Sequence, residues 1–159
     1  MVQSVRASLI VVAVVALVGI GTAEALISND QLSQLPGRGR PSLGIGGAAL
    51  TLVGIALSVA VYAALGLLLA RSHAPEGAAL GIGMAVGAGA GVIGGAIRAY
   101  LIRDYLAQLL ADYGLGDLVL VTLAIFVALS AVVSVAAGAS LTWLSFRAGR
   151  RGPTPRPPS

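Results

Sequence analysis

One carboxylate lies inside the long apolar runs of this 159-residue sequence, and it is the first candidate for chemistry. An ionisable residue within a bilayer is costly, so Glu24 indicates a proton or cation site by default. Glu24 nevertheless lies about one helical turn, or ~6 Å, from the end of its run, where burial costs much less. We therefore favour a structural ion pair or contact with the headgroups over transport chemistry.

Arg98 is the candidate partner of Glu24, because four spans would place both residues on the same side of the membrane. The rest of the sequence offers little to an enzyme: it has no cysteine, one isolated histidine (His73) and no cluster of carboxylates at metal-ligand spacing. The Arg38 and Arg40 pair is typical of a solvated turn. We predict no catalytic residue, no cofactor and no metal site.

Small residues recur every four positions in the third apolar run, which places them along one stripe of a helix. Such stripes let helix backbones approach closely where lipid provides no hydrophobic drive for association. The stripe and a matching series in the fourth run are Gly83, Gly87, Gly91 and Gly95, and Ser130, Ser134 and Gly138. A shorter series in the second run is Gly54 and Ser58. We expect packing within the chain against the second span, with self-association or docking to another subunit as the alternative.

The elements that carry these residues are long apolar helices. Of the 159 residues, 57% are hydrophobic and only 10% are charged, which excludes a water-soluble domain. Four runs reach the ~20 residues that cross a hydrocarbon core: 8–28, 48–70, 77–97 and 118–144. Backbone groups in lipid must be satisfied internally, and no period-two alternation indicates a barrel. The sequence predicts an all-α bundle of four transmembrane helices, forming one domain over 1–151.

The first run could also be a cleavable secretory signal, since a basic residue, an apolar stretch and the tripeptide around Glu24 fit that pattern. The apolar stretch continues to spanning length, which favours an uncleaved signal-anchor. Four spans are therefore the expected number, with three as the alternative.

The connections differ in kind. Residues 29–42 are rich in turn formers, and the short 71–76 connection predicts an antiparallel hairpin that makes the second and third spans neighbours. Residues 98–113 have helical apolar spacing with charges on the other face, which predicts an additional amphipathic helix in the interface or continuing the third span. Asp117 is expected to cap the fourth span, and the proline-rich tail, 152–159, to be disordered.

The arginines predict the orientation. Six of them fall on the side of the termini and four on the other, which favours both termini in the cytoplasm of a cell-membrane protein. Trp143, Arg147, Arg150 and Arg151 are expected to anchor the end of the fourth span at the interface. Membrane topology thus accounts for the net charge of +4 better than nucleic acid does, and no nucleic-acid partner is expected.

Two functions follow as hypotheses. A packing stripe without a reactive constellation favours a non-catalytic subunit or assembly component of a larger membrane complex, whose partners are the lipid bilayer and other membrane subunits or further copies of itself. The rival is a small transporter or channel whose pathway includes Glu24.

Overall fold

The described residues form four long α-helices, with a short 3-10 helix, Gly116–Leu118, before the last of them. A computed structural model describes residues 2–33, 45–72 and 74–151, with side chains at 7–27, 49–72 and 74–151. The helices are α1 (Val2–Ser33), α2 (Ile45–Arg71), α3 (Glu76–Asp112) and α4 (Val119–Arg150). Residues 29–33, which were expected to belong to a loop, are part of α1, because this helix continues to Ser33. Arg38, Arg40, His73 and the tail, 152–159, lie outside the described residues.

Each helix is long and apolar enough to cross a bilayer. The four candidate spans are Ala7–Ile27, Ala49–Arg71, Glu76–Asp112 and Gly116–Arg150. Large apolar side chains cover the outside of the bundle, and Val12, Leu52 and Leu120 are 66%, 66% and 78% exposed. A surface of this kind would aggregate in water, whereas lipid solvates it. The prediction of four helices able to span a membrane is confirmed.

The helices follow one another around the bundle in the order α1, α3, α4, α2. α1 packs on α2 and α3, α4 packs on the same two helices, and the described parts of α1 and α4 make no backbone contact. α2 and α3 are consecutive, yet they touch little. The expectation that the short 71–76 connection makes them close neighbours is wrong, because both helices pack mainly on α4.

The glycine stripe of α3 faces α4. A Cβ atom added at Gly91 would lie 2.7 Å from Ala131 Cα, and one added at Gly95 would lie 3.0 Å from Ser130 Cβ. Gly83 and Gly138 are each in closest contact with the other's carbonyl oxygen, and Gly87 lies on the carbonyl of Ser134. The stripe thus brings two backbones together, as small residues do in membranes. The expectation that its partner is the second span is wrong, and its partner is α4.

α2 reaches α4 through a glycine that the sequence analysis did not single out. A Cβ at Gly66 would lie 2.8 Å from Ser145 Cβ and 2.9 Å from the Phe146 nitrogen. Phe146 and Leu69 are almost completely buried beside this contact. These side chains close the bundle at the end where α2 finishes and α3 begins.

α3 and α4 form a long hairpin. Residues 98–112 are the continuation of α3 and not a separate helix. α3 ends at a left-handed glycine, Gly114 (φ 71°), whose N–H donates to Ala111 O while the Leu115 N–H donates to Leu110 O. Asp117 does not cap α4: the N-cap position is Leu118, and no side chain hydrogen-bonds there.

Candidate functional site: a charged cleft between the four helices

A cleft of about 520 Å³ separates α1 from α4. The backbones of the described parts of α1 and α4 stay apart, and α2 and α3 bridge the gap between them. Every helix contributes to its walls, with residues such as Leu17, Ser58, Ala90 and Ser134. The volume falls within the ~300–1,000 Å³ that is usual for small-molecule sites.

Glu24 and Arg98 meet at one end of the cleft. Arg98 Nη2 donates to Glu24 Oε2 over 2.7 Å, linking α1 to α3. The side chain of Glu24 is 18% exposed and that of Arg98 is 40% exposed, so the pair is accessible from the cleft. The structure therefore brings together the two residues that the sequence analysis considered as partners.

Two glycines make room for this ion pair. A Cβ added at Gly54 would lie 2.9 Å from Glu24 Oε2, so the carboxylate sits against the backbone of α2. A Cβ at Gly21 would lie 3.5 Å from Arg98 Nη2, an ordinary contact distance. Gly54 was predicted to serve helix packing, and no role was predicted for Gly21. The only available signal was the three-residue spacing of Gly21 and Glu24, which places them on one face of α1.

The ion pair leaves most of its hydrogen-bonding capacity unused. A guanidinium has five N–H donors and a carboxylate has two acceptor oxygens. Among the described residues, Arg98 donates one hydrogen bond and Glu24 Oε1 accepts none. One end of the cleft therefore presents a cation and an anion side by side, both able to bind a further polar group.

Serine hydroxyls continue the polar surface along the cleft. Ser58, Ser130 and Ser134 line it, and their hydroxyls have no hydrogen-bond partner within the described part of the chain. Ser140, which lies outside the cleft, instead donates to the carbonyl of Ala136 as serines in membrane helices commonly do. Free hydroxyls in a roomy cavity favour water or a polar ligand.

The polarity of the cleft falls along its length. The ion pair and Thr51 lie at one end, and the walls beyond the serines are formed by Leu17, Tyr62 and Leu141. From Ser130 to Leu141 the cleft follows α4 for eleven residues, about 16 Å at ~1.5 Å per residue. It is therefore an amphipathic slot with a charged end and an apolar end.

A second charged cluster lies at the opposite end of α3. Glu76 Oε1 accepts hydrogen bonds from Trp143 Nε1 at 2.7 Å and from Arg147 Nε at 2.9 Å. The Arg147 guanidinium also lies 4.2 Å from the centre of the Trp143 ring. Arg150 stacks on Phe146 at 5.3 Å, and Arg151 is exposed where α4 ends. Glu76 was not among the predicted site residues, although an acidic residue in the first turn of a helix is a recognisable signal.

The two charged clusters are one bilayer apart. Glu76 and Arg98 are 22 residues apart on α3, about 33 Å at ~1.5 Å per residue, which matches the ~30 Å of a hydrocarbon core. The described residues contain no group of three or more side chains suited to a metal ion.

These four apolar helices define a multi-pass helical membrane protein. No family model, no curated protein and no solved structure matches the chain.

Proposed function

We propose that the protein is a small membrane transporter whose pathway includes the charged cleft and Glu24. The cleft carries this proposal: a cavity lined by all four helices, with an accessible ion pair and unpaired hydroxyls, has no evident structural purpose. Ionisable residues at such places typically mark substrate or ion pathways. Buried Leu69 and Phe146 close the far side of the bundle, which favours a transporter that rearranges over an open channel.

Glu24→Gln is expected to lower flux without changing the shape of the side chain. Proteoliposomes under an imposed gradient would report proton and alkali-cation flux, and we expect a loss of about tenfold or more, the effect of ~1.4 kcal/mol. Glu76→Gln is the matched control, because Glu76 lies outside the cleft at the other end of α3. Equal flux in the wild type and Glu24→Gln from acidic to alkaline pH would remove this role for Glu24.

The proposed orientation has both termini in the cytoplasm of a cell-membrane protein. The majority of arginines on the side of the termini supports it, and so does the Trp143–Arg147 cluster at the end of α4. The chain has no native cysteine, so single cysteines report topology directly. In intact cells, a membrane-impermeant maleimide is expected to label Gln108→Cys and to label Ser72→Cys only after permeabilisation. Labelling of Ser72→Cys from outside would reverse the orientation.

A second candidate, a non-catalytic subunit of a larger membrane complex, is supported by the far end of the α3–α4 hairpin. Val127 packs at the level of Gly95, and Arg98 lies three residues further along α3, so residues 119–123 of α4 extend beyond the ion pair. Leu120 and Val121 on that extension are 78% and 53% exposed, and Tyr105 on the facing part of the hairpin is 66% exposed. An apolar surface outside the hydrocarbon core is typical of a protein interface. The glycine stripe no longer supports this candidate, because α4 covers it.

Co-purification tests the second candidate. After extraction in a mild detergent, mass spectrometry is expected to find another membrane chain that Leu120→Asp releases and Val12→Asp retains. Val12 is the control because it is 66% exposed on a different helix. An isolated monomer in native membranes would contradict this candidate and leave the transporter proposal intact.

A further inference from the structure

We infer that the cleft binds a single-chain zwitterionic amphiphile with a phosphoethanolamine headgroup, of the lysophospholipid type. The headgroup lies at Glu24 and Arg98, and the chain runs toward Tyr62 and Leu141. This inference rests on the proposed function, since it names the ligand class of the same cleft.

The dimensions of the cleft fit one alkyl chain. A volume of about 520 Å³ over a length of about 16 Å gives a mean cross-section of roughly 30 Å². That is wide enough for one extended chain. The walls agree with such an occupant, because Leu17, Val133 and Leu141 provide apolar contact beyond the charged end.

The position of the cleft in the bilayer fits a lipid. The charged clusters at Glu76 and Arg98 lie about 33 Å apart along α3, so Arg98 lies near one boundary of the hydrocarbon core. From there the cleft extends over about half of that distance. An amphiphile in the adjacent leaflet has its headgroup at the same depth as Arg98 and its chain at the same depth as Leu141.

The charges select a zwitterion. The pair is neutral overall, and a ligand of one sign would compensate one residue while leaving the other poorly paired in a low-dielectric site, which is costly. A phosphate can accept two hydrogen bonds from the unused donors of Arg98, and a primary ammonium can donate to Glu24 Oε1. The two groups of phosphoethanolamine thus complement both residues at once.

The headgroup also distinguishes phosphoethanolamine from phosphocholine. A quaternary ammonium carries the same charge but has no N–H to donate to Glu24 Oε1. Ser58 and Ser130 add free hydroxyls near the headgroup end, which suit phosphate oxygens and bridging water.

Native mass spectrometry of the full chain, released from micelles, tests this inference. The probes are lysophosphatidylethanolamine, lysophosphatidylcholine and lysophosphatidylglycerol with the same acyl chain, together with two-chain phosphatidylethanolamine. We expect lysophosphatidylethanolamine to bind about tenfold more tightly than lysophosphatidylglycerol, because only the former satisfies both charges. Equal affinity for all three single-chain lipids would overturn the inference. Tighter binding of the two-chain lipid would also overturn its single-chain part.

Variants locate the ligand. Arg98→Gln is expected to abolish the headgroup preference, while Arg103→Gln, an exposed arginine on the same helix, retains it. Ala137→Phe fills the slot without touching the ion pair and is expected to prevent binding, whereas Ala136→Phe, on the outward face, is not. This second pair keeps the test valid where Arg98→Gln fails to fold. Wild-type binding by Ala137→Phe would exclude the cleft as the site.

The outcome separates the two proposals. Flux that depends on Glu24, without any preference among the lysolipids, refutes the ligand class and leaves the transporter proposal standing. Selective binding without flux refutes transport and leaves the ligand class standing.

Discussion

Gly87→Ala is expected to destabilise the bundle by forcing two backbones apart. The new Cβ would meet the carbonyl group of Ser134 and lie 2.9 Å from Val135 Cα, so backbone rather than a mobile side chain opposes it. α3 and α4 must therefore separate. Overpacking of this kind costs about 1–3 kcal/mol, which exceeds the ~1 kcal/mol that alanine gains over glycine in helix propensity.

Gly81→Ala on the same helix is the matched control. A Cβ at Gly81 meets nothing within 4 Å, so only the helix propensity changes and the variant is expected to be neutral or more stable by up to ~1 kcal/mol. The free energy of unfolding in mixed micelles, followed by far-UV circular dichroism, compares the two. Equal stability of Gly87→Ala and Gly81→Ala would contradict the close α3–α4 contact.

The helices were predictable because their signal is local. A run of ~20 apolar residues in lipid must satisfy its own backbone and therefore forms a helix, whatever surrounds it. The stripe from Gly83 to Gly95 was equally visible, since its four-residue period needs no partner to be recognised.

The partner of each helix was not predictable in the same way. A stripe of glycines indicates that another backbone comes close, but it does not indicate which one. Two other spans also carry small residues at this spacing. The short 71–76 connection favoured α2, whereas the contact of Gly66 with Phe146 draws α2 to α4 instead. Which helix packs against which is decided by packing around the whole bundle. The sequence of any single segment does not contain that information.

The candidate site was likewise predictable only in part. Counting spans placed Glu24 and Arg98 on one side of the membrane, so their proximity could be considered from sequence. The cleft could not be predicted from the sequence, because it depends on the absence of backbone contact between α1 and α4. Gly54 illustrates the difference: it belongs to a small-residue series, yet in the structure it makes room for the Glu24 carboxylate.

Removing Arg98 from the Glu24–Arg98 pair is expected to cost more than removing Glu24. Glu24→Gln leaves a guanidinium that is already 40% exposed and can reach the headgroups, so we expect a loss of about 1 kcal/mol. Arg98→Gln leaves a carboxylate that is only 18% exposed, and an unpaired charge in a membrane costs up to ~2.5–3.5 kcal/mol, reduced near the interface. We therefore expect a loss of about 2 kcal/mol for Arg98→Gln.

A double-mutant cycle measures this coupling. The free energies of unfolding of the wild type, both single variants and Glu24→Gln/Arg98→Gln are expected to give an interaction of about 1–2 kcal/mol, the usual range for a partly buried charged hydrogen bond. Arg103 and Asp104, with side chains 52% and 82% exposed, provide the control pair on the same helix, expected below ~0.5 kcal/mol. Equal coupling in the two cycles would mean that Glu24 and Arg98 are fully solvated. A stable pair with strong coupling would instead be a pre-organised site, in which a zwitterion adds to the unused donors and acceptor without breaking the existing contact.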